Sequence, residues 1–276
     1  MIPQLPRLHA VTDDRVVARG GLAARAAELA AAAGPELAVH LRTRILGGAA
    51  LLDLARAVGA ALTPHGSWLV VNGRADVARA AGARAVQLGR GGLTVSEVRR
   101  VAPGLPVGRS VHDIAELRAA GAEGADFLVA GPLFATASHP GEPAAGPGLV
   151  RAAAATGLQV LAIGGLEPGN ARAALEAGAW GVAAVRALWE SGEPGAAARA
   201  FLEALPAAAT LPVTVNGESR LVPAGTTLRG LLAQLDLDPR AVVVEHNRRI
   251  VRRDGLESAR LSAGDAVELV HFVGGG

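Results

Sequence analysis

The chain has 276 residues, half of them apolar and 19% charged, which is enough to bury a sizeable core and far from a disordered composition. It contains no Cys, no Tyr and no Lys, so all 27 basic residues are Arg. Schiff-base, lysine-held pyridoxal and Walker-type phosphate chemistry are thereby excluded, as are thiol nucleophiles, disulfides and Cys-ligated zinc. The net charge is only +2, and the pI of 10.6 reflects the lack of groups titrating between His and Arg.

No basic run with interleaved aromatics occurs, so no nucleic-acid partner is expected. Met1–His9 lacks the layout of a signal peptide, and no stretch of about 18 uncharged apolar residues could span a bilayer. A soluble cytoplasmic protein with no membrane partner is the expectation; self-association is left open.

Short apolar runs alternate with helical Ala/Leu/Arg patterns up to about residue 205. The runs are Leu8–Val11, Leu37–Leu41, Trp68–Val71, Arg84–Leu88, Pro106–Gly108, Asp126–Ala130, Val160–Ile163 and Gly181–Val185. Helical segments between them include Leu22–Ala33, Ala49–Ala61, Val95–Arg100 and Asn170–Ala177. This alternation predicts parallel strands with right-handed crossovers, closed into a compact (β/α)8 TIM barrel over residues 1–205. A doubly wound open sheet is the alternative, weakened because no Gly-x-Gly-x-x-Gly follows the first run.

Residues 206–212, Pro-Ala-Ala-Ala-Thr-Leu-Pro, read as a linker. The pattern then changes. Val213–Val215, the turn Asn216-Gly217 and Arg220–Val222 predict a hairpin. Thr226 or Thr227 caps a helix through Leu228, Leu231, Leu232 and Leu235, and Ala241–Glu245 and Ala266–Phe272 are further strands. This predicts a small α+β β-grasp, ubiquitin-like domain over residues 213–276, ending in three glycines. A side-chain-free tail suits a terminal carboxylate that must enter another enzyme's narrow site; a frayed end is the plain alternative.

The C-terminal segment resembles the ThiS-type sulfur-carrier family of thiamine biosynthesis. The resemblance rests on Val-Asn-Gly-Glu, Pro-Ala-Gly-Thr-Thr-Leu, Val-Val-Val-Glu-His-Asn, Ser-Ala-Gly-Asp and the Phe-Val-Gly-Gly-Gly end. It implies that Gly275 and Gly276 form the working tail. Gly276 would be adenylated at the expense of ATP by a ThiF/MoeB-type adenylyltransferase, then thiocarboxylated, and would deliver sulfur to thiazole synthase. Ubiquitin-like modifiers and molybdopterin carriers share the tail.

Active sites of such barrels lie at the C-terminal ends of the strands. Residues there include His40 and Arg42, Asn72, Gln87, Ser110 and His112, and a Gly/Pro-rich loop carrying Thr136 and His139. Gly164-Gly165 follow the seventh run, and Val185-Arg186 the eighth. Backbone amides of those last two segments could cradle a phosphate, with a tight turn as the alternative for the glycine pair. Arg42 needs an anion, either a ligand or Asp13 or Asp14. His9, mid-strand, reads as packed and hydrogen-bonded rather than catalytic.

Residues 7–205 resemble the family of thiamine-phosphate synthase and the TenI-type thiazole tautomerase. The motifs are Leu-His-Ala-Val-Thr-Asp-Asp, Val-His-Leu-Arg-Thr-Arg, Val-Asn-Gly-Arg-Ala-Asp-Val-Ala, Val-Gln-Leu, Gly-Arg-Ser-Val-His, Gly-Pro-Leu-Phe-Ala-Thr, Ala-Ile-Gly-Gly-Leu and Gly-Val-Ala-Ala-Val. The synthase pattern implies Mg²⁺ held by carboxylates after strands three and four; here those segments read Asn72-Gly73 and Gly89-Arg90-Gly91-Gly92. His139 replaces a lysine of that pattern. The tautomerase pattern places its catalytic histidine where Pro132 stands.

The expectation is a thiazole tautomerase fused to a sulfur carrier, with no bound cofactor or metal and a small phosphorylated thiazole as substrate. His139 ranks first as acid/base, then His112 and His40. Arg42, Asn72, Gln87, Ser110, Thr136, Gly164, Gly165, Val185 and Arg186 would bind substrate and phosphate. A thiamine-phosphate synthase, or an inactive barrel serving as scaffold, is the alternative.

Overall fold

The computed structural model describes residues 5–136, 144–205, 210–223, 226–235 and 237–271. The chain divides into two compact units, one of them Leu5–Leu205 and the other built from Pro206 onward. His139 of the sixth-strand loop and the tail glycines Gly275 and Gly276 lie outside the described residues.

The first unit is a closed barrel of eight parallel strands in sequence order. They are β1 (Leu8–Val11), β2 (Leu37–Leu41), β3 (Trp68–Asn72), β4 (Ala85–Leu88), β5 (Val107–Val111), β6 (Phe127–Ala130), β7 (Gln159–Ile163) and β8 (Gly181–Ala184). The helices are α1 (Asp14–Ala18), α2 (Leu22–Ala33), α3 (Gly48–Leu62), α4 (Ala75–Ala80), α5 (Val95–Val101), α6 (Ile114–Ala122), α7 (Gly146–Ala154), α8 (Ala171–Glu176), α9 (Arg186–Trp189) and α10 (Pro194–Ala204). The open-sheet alternative is excluded because β1 pairs with both β2 and β8.

Sequence periodicity explains the layers. In α2 the buried residues are Leu22, Ala26, Leu29, Ala30 and Ala33, one stripe at helical spacing. The stripe packs against its neighbours with Leu29 fully buried, and a buried Leu contributes about 1.5–3 kcal/mol. Strand alternation turns Leu8, Val39, Val71, Val86 and Leu128 toward the helices, and His9, His40, Val70, Gln87 and Phe127 into the barrel. Gly108 on β5 makes the interior filling feasible: a β-carbon there would overlap the Gln87 amide and the Phe127 ring.

The second unit is a five-stranded sheet in the order β10-β9-β13-β11-β12, formed by β9 (Thr210–Val215), β10 (Glu218–Pro223), β11 (Val242–His246), β12 (Arg249–Val251) and β13 (Ala266–His271). Its one α-helix among the described residues, α11 (Leu228–Gln234), supplies Leu228, Leu231 and Leu232 to a core completed by Val213, Val215, Val222, Val244, Val267 and others. β9 and β10 are antiparallel, while β13 runs parallel to β9 between β9 and β11, which is the β-grasp arrangement.

Two expectations are corrected. The expected linker at 206–212 is too long, because Thr210–Pro212 already belong to β9, with Pro212 opposite Leu221. Pro212 lies beyond the β9–β13 ladder, which covers only Thr214 and Val215, and there its carbonyl accepts from Gly264 N at 2.7 Å. The fifth barrel strand extends to Val111 rather than ending at Gly108, which puts Ser110 within a strand.

Candidate active site

The C-terminal mouth of the barrel is assembled from the residues that follow each strand. After β1, Thr12 Oγ1 and the backbone of Arg42 exchange hydrogen bonds of 2.9 Å, fixing the β1 and β2 exits to each other. Asp13 caps α1 by accepting from Val16 N at 2.8 Å. Asp14 accepts from Thr43 Oγ1 at 2.8 Å and Arg44 N at 2.7 Å. The Arg44 amide first, then Thr43, hold the Asp14 carboxyl below its usual range, with the Arg42 charge adding to the effect. Neither carboxylate forms the ion pair with Arg42 that was the alternative to a ligand; the Arg42 side chain is half-buried at the mouth.

His40 lies inside the barrel, 1% exposed, with His9 below it fully enclosed. His9 Nδ1 and His40 Nε2 are 2.7 Å apart, and His9 Nε2 is 2.9 Å from Pro6 O. Burial pushes His9 down to about 4, and burial followed by the neighbouring His9 ring pushes His40 well below its ordinary value. Both rings are therefore neutral near pH 7.

Asn72 and Gln87 are register partners at the ends of β3 and β4. Gln87 Nε2 donates to Ser110 Oγ at 2.9 Å on β5, which joins three of the expected binding residues along one arc of the mouth. Asn72 Oδ1 and Gln87 Oε1 are both buried without a hydrogen-bond partner.

His112 follows β5 and is tied to α6. Asp113 caps α6 by accepting from Glu116 N, and Glu116 reaches back to accept from both His112 N and His112 Nδ1, each at 2.8 Å. Arg90 also donates to Glu116. Burial opposes the charge on Glu116, but the hydrogen bonds from Arg90 and His112 outweigh it and keep the carboxyl below its usual range. The His112 side chain is 31% exposed, so a ring with its Nδ1 engaged faces solvent at the rim. Glu116 and its link to Arg90 were missed in the sequence, although His112-Asp113-x-x-Glu116 carries the spacing of a helix start.

The loops after β6 and β7 are packed on each other. Leu133 N donates to Ile163 O at 2.7 Å and Phe134 N to Gly164 O at 3.1 Å. Gly164 has φ +103° and Gly165 φ +63°. A β-carbon on Gly165 would sit 2.7 Å from Ala135 O, so only glycine fits. Thr136 stands at the edge of the described part of the β6 loop, half-buried. Val185 accepts from Leu188 N and Trp189 N at the start of α9, leaving Arg186 exposed beside it.

The synthase pattern implies Mg²⁺, and the residues present do not fit it. Gly73 and Gly91-Gly92 bring no side chain to those positions. The carboxylates on nearby segments are committed: Asp76 binds Arg74 at 2.6 and 2.8 Å, which lowers its carboxyl to about 2, and Glu116 binds Arg90 and His112. Among the described residues no group of three or more His, Asp or Glu side chains could hold a metal ion.

Residues 8–188 match the family described as thiamine monophosphate synthase. The chain belongs to that family. Residues 213–276 match the ThiS family, so this thiamine monophosphate synthase family member carries a fused ThiS domain. Its barrel is 41% identical over 207 residues to a thiamine-phosphate synthase of Methanoculleus marisnigri, covering 73% of this chain and 96% of that one. It is 43% identical over 169 residues to the thiamine biosynthesis bifunctional protein ThiM/ThiE of Symbiobacterium thermophilum, covering 60% of this chain and 35% of the relative. A solved thiamine phosphate pyrophosphorylase from Pyrococcus furiosus superposes with a TM-score of 0.64 at 25% identity, over 72% of this chain and 95% of that one. Thiamine biosynthesis is thus the setting of both parts. The relatives' names match the synthase alternative rather than the tautomerase reading. No helix among the described residues is long and apolar enough to cross a membrane.

Proposed function

We propose that the barrel binds a phosphorylated thiazole and isomerises it by proton transfer, as a thiazole tautomerase, while the fused domain carries sulfur for making the thiazole. One observation carries this reading: the positions where a synthase would place its metal carboxylates are glycines, while the imidazole of His112 stands at the rim. A synthase must stabilise departing pyrophosphate, for which a metal is the usual means. An isomerase breaks one C–H bond and forms another, with no change in atoms or oxidation level, and needs only a group that accepts and returns a proton. Histidine titrates in the suitable range. His112, oriented by Glu116 at the rim, is available for this; His139 and the enclosed His40 are the further candidates from the sequence, though burial and the neighbouring His9 hold His40 well below its ordinary value.

The substrate phosphate lies against the main-chain amides of Gly164-Gly165 and the segment Val185-Arg186, where barrels of this type hold phosphates. Without lysine, main-chain donors and Arg42 are the strong phosphate groups. Asn72, Gln87, Ser110 and Thr136 line the remainder. The reaction needs no cofactor. The tail Gly275-Gly276 is activated with ATP by an adenylyltransferase of the ThiF/MoeB type and visits thiazole synthase, whose product is the barrel's substrate. Fusion keeps the two activities at high effective concentration around one partner, in the cytoplasm.

The names of the relatives favour a second reading, thiamine-phosphate synthase. The test is to generate the dehydrothiazole carboxylate phosphate with thiazole synthase and follow its conversion by proton NMR. Acceleration of aromatisation by the full chain supports the tautomerase; an unchanged spontaneous rate removes it and leaves the synthase or the scaffold.

A further inference from the structure

The rim between β4 and β5 places a guanidinium and an imidazole on one carboxylate. Glu116 Oε1 accepts from Arg90 Nε, and Glu116 Oε2 accepts from His112 Nδ1 at 2.8 Å. A carboxylate only accepts, so His112 Nδ1 carries its hydrogen and Nε2 of the neutral ring is the basic nitrogen. Arg90 stands in the segment Gly89-Arg90-Gly91-Gly92, where its neighbours have no side chains to crowd it, and its own side chain is 59% exposed. The base of the segment is fixed, because Arg109 donates to Gly89 O at 2.9 Å. Where the synthase pattern implies a metal-binding carboxylate, this chain thus carries a cation beside an imidazole.

Strand order supplies a second observation. β4 and β8 lie on opposite sides of the closed ring, and the main-chain amides proposed for the phosphate follow β7 and β8. A ligand gripped there by its phosphate extends across the mouth toward the β4–β5 rim, where a second anion meets Arg90.

Resting on the tautomerase reading, we propose that Arg90 is the specificity-determining residue that grips a carboxylate of the substrate, the one borne by the carbon that loses its proton. A guanidinium has five N–H groups in a planar fork matched to carboxylate geometry, so it can hold the substrate alongside Glu116. The acidic C–H then lies beside His112. His112 Nε2 takes the proton, and the C–H electron pair passes into the conjugated ring and the carboxylate, where Arg90 balances the growing charge. The same nitrogen returns the proton to the carbon that is saturated in the aromatic product, so no atom or electron is gained or lost. Glu116 is the positioning residue for both groups.

The test compares two ligands that differ only in the carboxylate, thiazole phosphate and thiazole carboxylate phosphate, by calorimetric titration of the full chain. The wild type should bind the carboxylated ligand roughly tenfold more tightly or better, as expected for a charge-assisted pair. Arg90→Gln should remove that preference and leave thiazole phosphate binding unchanged, which also reports an intact barrel. Arg90→Lys should restore part of the preference. In turnover of dehydrothiazole carboxylate phosphate, Arg90→Gln should lower kcat/KM by roughly 10²-fold, the usual loss for one group that stabilises developing charge. A wild type that binds both ligands equally, or an Arg90→Gln variant that keeps the preference, would overturn the proposal. A wild type that shows the Arg90-dependent preference and does not isomerise supports the carboxylate site and removes the reaction reading alone.

Discussion

Glu116 accepts two hydrogen bonds from one residue, His112, through its backbone N and its Nδ1, both 2.8 Å long. The carboxylate holds the ring in one orientation and selects the tautomer whose Nε2 is free, because a carboxylate can only accept from Nδ1–H. His112→Gln should therefore slow isomerisation by roughly 10²-fold if His112 handles a proton of the substrate. Glu116→Gln should cause a smaller loss, because an amide oxygen can still accept from Nδ1–H. Steady-state kinetics on both variants checks this ordering; a larger loss in Glu116→Gln than in His112→Gln would contradict it.

The glycine pair after β7 gives a sharper structural test. Gly165→Ala places a β-carbon against Ala135 O and the Phe134 side chain at positive φ. Backbone strain of this type costs on the order of 1–3 kcal/mol, so thermal stability should fall and the β6 and β7 loops should separate. If their amides hold the phosphate, calorimetric titration with thiazole phosphate should show at least tenfold weaker binding. Unaltered affinity in a folded variant would move the phosphate elsewhere.

Acid should destabilise the barrel in a window set by the enclosed histidines. Burial keeps His9 neutral in the folded chain down to about 4, whereas an unfolded histidine titrates near 6.5. Above pH 6.5 both states are neutral and the stability is intact. Between about 6.5 and 4 the unfolded chain binds protons that the folded barrel refuses, so stability falls as pH falls. The displacement of His9 alone corresponds to on the order of 3 kcal/mol. Melting temperatures should decline through this range, before the lowered carboxyls of Asp14 and Glu116 begin to protonate, and His9→Gln should flatten the decline.

Gly276 should be the site of covalent chemistry in the fused domain. After incubation with the adenylating enzyme, ATP and a sulfur donor, intact mass spectrometry should show one oxygen replaced by sulfur. An unmodified chain, under conditions that convert an isolated sulfur carrier, would count against the carrier role.

The fold was legible wherever a run of apolar residues was bounded by turn residues. Leu8–Val11, Leu37–Leu41 and the helix Leu22–Ala33 are found at the expected positions because each has a single periodicity with clear ends. β12 escaped notice: Arg249–Val251 is a three-residue strand paired only with β11, so nothing required an apolar pattern on both sides. The start of β9 was hidden by Pro212, which usually marks a break. At the mouth, strand order placed Asn72, Gln87 and Ser110 together, but pairing between side chains far apart in sequence was not readable. His9 and His40 are 31 residues apart, and no local spacing announces that their rings meet. The Glu116 contact was within reach, since a carboxylate three residues after a helix cap commonly reaches back.

The central claim is that this barrel moves a proton and does not expel pyrophosphate. The most direct measurement runs both reactions on one preparation of the full chain. Aromatisation of dehydrothiazole carboxylate phosphate is followed by NMR with a chelator present. Release of pyrophosphate from the pyrimidine pyrophosphate and thiazole phosphate is followed with Mg²⁺ present. The account predicts chelator-insensitive aromatisation faster than in buffer, together with pyrophosphate release at background. Robust Mg²⁺-dependent pyrophosphate release, with aromatisation no faster than in buffer, would contradict it and make the chain a thiamine-phosphate synthase.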